Sequence, residues 1–268
     1  MSDTPGDRAA ALIELDHVTK TFGRVIVADG LSLAVGPADI VGIVGPNGAG
    51  KTSLFGLISG DLTPASGEIR FGGQPITRLG PAARCRLGIG RTYQVPRPFG
   101  DMTVFENVLV AVQQGAGLRR QASYERAARV LTRTGLRPDA NVPAERLGLL
   151  QRKRLEVARG IATDPKLLLL DEVAGGLTDP EVGQLVQIVL GIRGEGVAVL
   201  WIEHVMRTLT AAVQRLICLA GGRFIGDGAP AEVLATPAVR EVFLGAEVTT
   251  SLAGPAPPTP GVAGGAVT

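Results

Sequence analysis

The residues best equipped for chemistry are Gly45-Pro46-Asn47-Gly48-Ala49-Gly50-Lys51-Thr52, which fit the pattern G-x-x-x-x-G-K-[ST]. Glycines at this spacing let the backbone turn tightly and bring its N–H groups against phosphate oxygens. A helix starting just after them adds a partial positive charge aimed at the same anion. Lys51 would reach the β- and γ-phosphates of a nucleotide, the Thr52 hydroxyl would ligate Mg²⁺, and Ser53 completes the phosphate-facing set. Asp171 ends an apolar run, Leu167-Leu168-Leu169-Leu170, and suits a Mg²⁺ ligand. Glu172 is the candidate general base for a water attacking the γ-phosphate. Gln94 could lend a side-chain oxygen to Mg²⁺, or could be a surface amide in a turn. A lone histidine after a buried strand, such as His204, is commonly structural. Beside a γ-phosphate it could instead donate a hydrogen bond to a phosphate oxygen and help position the water.

These residues need a scaffold that brings them together. Residues 40–44 read as a buried strand and 53–58 as the first turns of a helix, which is the context the phosphate loop requires. In open parallel α/β sheets, ligands sit at the carboxyl ends of the strands. Four runs end on polar groups of that kind: the phosphate loop, Gln94, Asp171-Glu172 and His204. The expected fold is α/β, a P-loop NTPase (RecA-like) parallel-sheet core with an antiparallel β subdomain and a helical subdomain insert.

Along the chain, residues 12–18 and 31–35 read as strands, with 19–23 as a turn between them, and 68–71 as a short antiparallel strand. Residues 81–87 read as a brief helix starting at proline, and 88–94 as a strand. Thr103-Val104-Phe105-Glu106 is a capping box ahead of a helical run, and 121–134 is a second helix stopped by Gly135. Residues 152–162 form an amphipathic helix, on which Lys153 reads as part of a solvated face. The helical insert therefore spans about 95–160. Thr178-Asp179-Pro180-Glu181 starts another helix, 197–202 is a buried strand, Gly221-Gly222 marks a hairpin, and two short helices follow. Residues 1–10 read as a disordered lead-in, 11–248 as one ATP-binding domain, and 249–268 as a disordered tail rich in Pro, Gly and Ala.

Composition bounds the alternatives. With 27 basic and 25 acidic residues the net charge is +2, too balanced to suggest a nucleic-acid binder. Hydrophobic residues make up 45% of the chain, enough for a sizeable core without staples, and aromatics only 4%, so aliphatic side chains must do the packing. Cys85 and Cys218 suit a reducing compartment and require no disulfide. The first residues lack the basic-then-apolar order of a signal peptide, and no apolar run approaches the roughly 20 residues of a membrane span. The chain reads as soluble, reaching a membrane only through a partner.

With these segments in order, residues 11–246 resemble the ATP-binding subunits of ABC transporters, most of all those of branched-chain (hydrophobic) amino-acid importers. Residues 45–52 are the Walker A motif in the form common there. Gly88-Ile89-Gly90-Arg91-Thr92-Tyr93-Gln94 resembles that family's Q-loop approach, Arg154-Leu155-Glu156-Val157-Ala158-Arg159 the helix after its signature, and Trp201-Ile202-Glu203-His204 its switch-histidine segment. The resemblance favours the catalytic role for His204 and implies that Phe22 stacks on adenine. It also implies ATP and Mg²⁺ as ligands, a second ATP-binding subunit as homodimer or heterodimer, and membrane permease subunits contacted by the Gln94 loop and the insert. A periplasmic binding protein would join indirectly, and the location would be cytoplasmic, peripheral on the inner face of the cell membrane. Two departures stand out. The Leu-Ser-Gly-Gly-Gln signature reads Leu147-Gly148-Leu149-Leu150-Gln151, without the serine hydroxyl and with bulk in place of the fourth-position glycine. Val173 stands where proline commonly follows the Walker B glutamate, and Thr178 where the D-loop usually has Asp or Asn. A regulatory or non-transport ABC ATPase with weak turnover is the alternative reading.

Overall fold

The computed structural model describes residues 11–204, 209–210 and 212–243. The expected lead-in and tail lie outside them. Two sheets organise the chain. Strands β1 (Ile13–Phe22), β2 (Val25–Val35), β4 (Ser66–Phe71) and β5 (Gln74–Pro75) form an antiparallel sheet in the order β2-β1-β4-β5. Strands β3 (Ile40–Val44), β6 (Ile89–Arg91), β7 (Leu167–Asp171), β8 (Ala198–Ile202), β9 (Arg215–Ala220) and β10 (Arg223–Gly228) form the larger sheet, ordered β10-β9-β3-β8-β7-β6. All its neighbours run parallel except the β9–β10 hairpin at the edge. The carboxyl ends of β3, β8, β7 and β6 therefore stand in one row.

The central strands are apolar on both faces, as expected of strands covered on two sides. Along β7, Leu167 and Leu169 pack toward helix α1 (Lys51–Ser59) and the antiparallel sheet, with Ile13, Leu54 and Leu57. Leu168 and Leu170 face the opposite layer, with Leu155, Val189 and Trp201. Helix α2 (Pro81–Leu87) leads into β6, and the opposite layer includes α3 (Val104–Gln114), α4 (Arg120–Arg133), α5 (Leu149–Ala162) and α6 (Asp179–Arg193). The capping box at α3 is present in full: Thr103 Oγ1 accepts from the Glu106 N–H, and Glu106 accepts from the Thr103 N–H. Thr178 and Glu181 make the same box at α6, so Thr178 serves as a helix cap.

Several expectations need correction. Residues 19–22 do not turn; they continue β1, because β-branched threonines pair across an antiparallel ladder as far as Phe22 and Val25. The strand expected over 31–35 is the end of the 11-residue β2. Strand β6 covers only Ile89–Arg91, so Gln94 sits in the loop beyond it. Helix α5 begins at Leu149, three residues earlier than the charge pattern suggests. Lys153, read as solvated, is only 5% exposed. The two cysteines are free thiols; Cys218 is buried, and desolvation pushes its pKa up to about 11.

Candidate active site

The phosphate loop is shaped by close backbone packing. At Gly45 (φ 153°) a β-carbon would lie 2.0 Å from the Leu219 carbonyl oxygen at the end of β9. At Gly50 (φ 103°) it would lie 2.2 Å from the Val27 carbonyl oxygen of β2. Both positions admit only glycine, on steric and conformational grounds together. Gly50 leads directly into α1, which has no side-chain cap and no acidic residue in its first turn. The first N–H groups of that helix are thus available to an anion. Lys51 folds back under the loop, donating from Nζ to the carbonyls of Gly45 (2.7 Å) and Pro46 (3.0 Å). Burial lowers its pKa, and the nearby carboxylates of Glu172 and Asp171 push it back up.

Beside the loop, β7 delivers two carboxylates with different environments. Asp171 is buried, and desolvation raises its pKa while Arg91 opposes the shift. Its Oδ2 lies 3.6 Å from Arg91 Nη2, and its Oδ1 is buried with no hydrogen-bond partner among the described residues. Glu172 turns away through a left-handed backbone (φ 48°), a conformation costing about 1–2 kcal/mol for a residue with a β-carbon. That turn brings its carboxylate to the cleft. Oε1 is 2.5 Å from His204 Nε2, and Oε2 accepts a short hydrogen bond from Gln94 Nε2. Segments that follow β6, β7 and β8 thus meet at one carboxylate.

The cleft has a volume of ≈ 440 Å³ and is walled by residues 47–53, Val25, Val27, Gln94, Glu172 and His204. Asn47, Gly48, Ala49, Gly50, Lys51, Thr52 and Ser53 all line it, while Gly45 and Pro46 lie behind, held by Lys51. Phe22 does not line it. It pairs with Val25 at the hairpin tip, 49% exposed, with the Lys20 ammonium 5.2 Å from its ring centre. Val25 and Val27, absent from the sequence reading, supply the apolar wall instead. Their alternation along β2 was the available signal, hidden once 19–23 was read as a turn.

The donor set fits a hard divalent cation. Asp171 offers a buried oxygen that no described residue uses, and Thr52 and Gln94 offer neutral side-chain oxygens. Among the described residues no group of three or more His, Cys, Asp or Glu could hold a metal by itself. Mg²⁺ suits such a set, because it keeps waters and shares substrate phosphates.

The family model described as "ABC transporter" matches residues 28–175. The high-affinity branched-chain amino acid transport ATP-binding protein BraF of Pseudomonas aeruginosa is 34% identical over 249 residues, covering 87% of this chain and 98% of that protein. LivG of Escherichia coli, described in the same words, is 33% identical with the same coverage. Among solved structures, an ATP-binding cassette of an ABC transporter in its ADP conformation superposes with a TM-score of 0.81. It is 28% identical, covering 88% of this chain and 99% of its own.

Proposed function

The chain belongs to the ABC transporter ATP-binding family, and from that premise we propose that it powers an importer of branched-chain or related amino acids at the cytoplasmic face of the membrane. As a member it is a nucleotide-binding subunit and an ATPase, associated with membrane partners. The observation that carries the catalytic assignment is the meeting of Gln94, Glu172 and His204 in front of the Lys51 loop. Glu172 takes a proton from water, His204 and Lys51 hold the γ-phosphate, and Gln94 orients the carboxylate. Thr52, Asp171 and Gln94 would hold Mg²⁺, which supplies charge neutralisation at the phosphates. Val25 and Val27 line the side of the cleft toward which adenine would lie, and Phe22, paired with Val25 at the hairpin tip, stands next to that side.

Two features support partner subunits. Contiguous hollows between the helix over Pro81–Leu87, α3 and α5 are lined by Arg86, Tyr93, Phe99, Val110 and Arg159. Tyr93 and Phe99 are more than 40% exposed there, which suits the apolar face of a permease helix. At the other end of α5, Leu147-Gly148-Leu149-Leu150-Gln151 would face a second cassette, and Leu149 is 48% exposed. The missing hydroxyl at Gly148 favours pairing with a different ATPase, to whose nucleotide this chain gives the weaker signature. Reconstitution with its permeases, companion ATPase and binding protein in liposomes tests the reading. The expected result is ATP-dependent uptake of leucine, isoleucine or valine. Uptake of urea or amides alone would overturn the substrate, and co-purification with nucleic acid instead of permeases would overturn the transport role.

A further inference from the structure

Lys153 has no part in the mechanism above, yet its amine sits at the junction of two catalytic loops. It lies one turn into α5, only 5% exposed. Its Nζ donates to the backbone carbonyl of Gln94 at 3.0 Å and to that of Glu172 at 3.1 Å. Burial lowers its pKa, opposed by Glu203, Glu172, Glu156 and Asp171, so a cation there has carboxylates on several sides.

Two other side chains of α5 hold the same loop. Glu156 Oε1 accepts the Tyr93 N–H at 3.1 Å, and Arg159 donates to the Arg97 carbonyl at 2.8 Å. Residues 153, 156 and 159 recur every three positions, so they share one face of the helix. The Gln94 loop is therefore fastened to α5 at three points. Lys153 also crosses to the segment carrying Glu172, whose left-handed backbone makes the direction of its carbonyl critical. A shift of α5 larger than the Lys153 stem can absorb breaks one or both carbonyl contacts unless the loop and Glu172 move with it.

We propose that Lys153 is a positioning residue that ties the orientation of Glu172 to the placement of α5, the helix whose N-terminus faces the partner cassette. Hydrolysis in this chain's own site then depends on where the partner and the permease set that helix. The inference rests on Glu172 being the general base.

The test uses the assembled transporter and ATP. Lys153→Met is expected to lower kcat about tenfold or more while KM and the affinity for a fluorescent ATP analogue stay within about twofold. Lys153→Arg keeps a cation with several donors and should recover most of kcat; Lys153→Gln, neutral but still a donor, should fall between and serves if Lys153→Met does not fold. In a Glu172→Gln background, Lys153→Met should change nothing further. Unchanged kcat in a folded Lys153→Met or Lys153→Gln protein overturns the proposal. So does a loss that appears in KM alone, or one that Lys153→Arg leaves unrepaired. If Glu172→Gln itself leaves turnover intact, the assignment of the general base fails instead, which separates the two.

Discussion

His204 Nε2 lies 2.5 Å from Glu172 Oε1, while Gln94 occupies the other oxygen of the same carboxylate. A carboxylate gripped from both sides has a fixed direction, which a general base needs and an ordinary surface glutamate lacks. Glu172→Gln removes the proposed base but keeps the shape. It should lower steady-state ATP turnover by about 10²–10⁴-fold with nucleotide affinity retained. His204→Ala should cost about 10²-fold, the scale of one lost transition-state donor. Phosphate release by the reconstituted complex measures both, and an unchanged rate in Glu172→Gln would remove that residue from the chemistry.

The glycines of the phosphate loop are not equivalent. A methyl at Gly50 meets the Val27 carbonyl at 2.2 Å, whereas a methyl at Gly48 meets nothing within 4 Å. Both have positive φ. Gly48→Ala should therefore cost only the conformational term, ~1 kcal/mol. Gly50→Ala must also push β2 away from the loop, and should cost distinctly more and weaken ATP binding at least tenfold. Urea unfolding and nucleotide titration of the two variants provide the comparison.

Arg84 was visible in the sequence only as one residue of a short helix, but it is 1% exposed. Its guanidinium donates to the carbonyls of Leu57, Ile58, Thr77 and Leu79 at 2.6–3.0 Å. Two of these belong to the last turn of α1, whose carbonyls have no helical partner. Arg84→Met should destabilise the fold by ~3–5 kcal/mol, because it leaves several buried carbonyls unpaired. Since Arg84 lies at the far end of α1 from the phosphate loop, the variant that remains folded should bind ATP normally.

What could be read from the chain alone follows a physical division. Strand ends carrying Lys51, Asp171, Glu172 and His204 were legible because each motif is local and its apolar strand precedes it directly. The helix caps at Thr103 and Thr178 were legible for the same reason. Lys153 and Arg84 were not, because their burial is decided by carbonyls of other segments: Gln94 and Glu172 for Lys153, and the end of α1 with the loop at Thr77 and Leu79 for Arg84. The start of β2 was lost because a threonine-rich stretch before a glycine reads as a turn until a partner strand is known. Val25 and Val27 went with it.

Glu203 should leave a mark on stability against pH. It is 2% exposed, and its Oε1 accepts from the Ala174 N–H (2.7 Å) and the Trp201 indole (3.2 Å). Burial raises its pKa above the ordinary 4.5, with those hydrogen bonds opposing. A raised carboxyl pKa means that the folded state binds the proton more tightly than the unfolded one. Stability from this group is then full below about 4.5 and is lost as pH rises through the folded value, with a slope of up to ~1.4 kcal/mol per pH unit. Glu203→Gln keeps an acceptor for Ala174 and removes the slope. Denaturant unfolding in a pH series should show wild type gaining on the variant toward acid. Parallel curves would show that the carboxyl titrates alike in both states.

The signature segment offers a change of function that the fold can accept. Gly148 is the N-cap of α5 (φ −67°, ψ 173°) and provides no side-chain cap. Among the described residues a β-carbon there meets the Gln151 side chain alone, with Oε1 nearest at 2.9 Å, the free end of a flexible side chain. Gly148→Ser thus fits, and its hydroxyl can cap the helix for a few tenths of a kcal/mol. In the assembled pair the same hydroxyl would become available to the partner's γ-phosphate, and Leu150→Gly would let the backbone approach it more closely. With this chain's own site silenced by Glu172→Gln, the remaining ATPase rate reports the partner's site alone. Gly148→Ser and Leu150→Gly should each raise that rate several-fold. A rate that stays flat in both would mean that the α5 N-terminus, rather than the side chains ahead of it, already supplies what the partner's nucleotide needs.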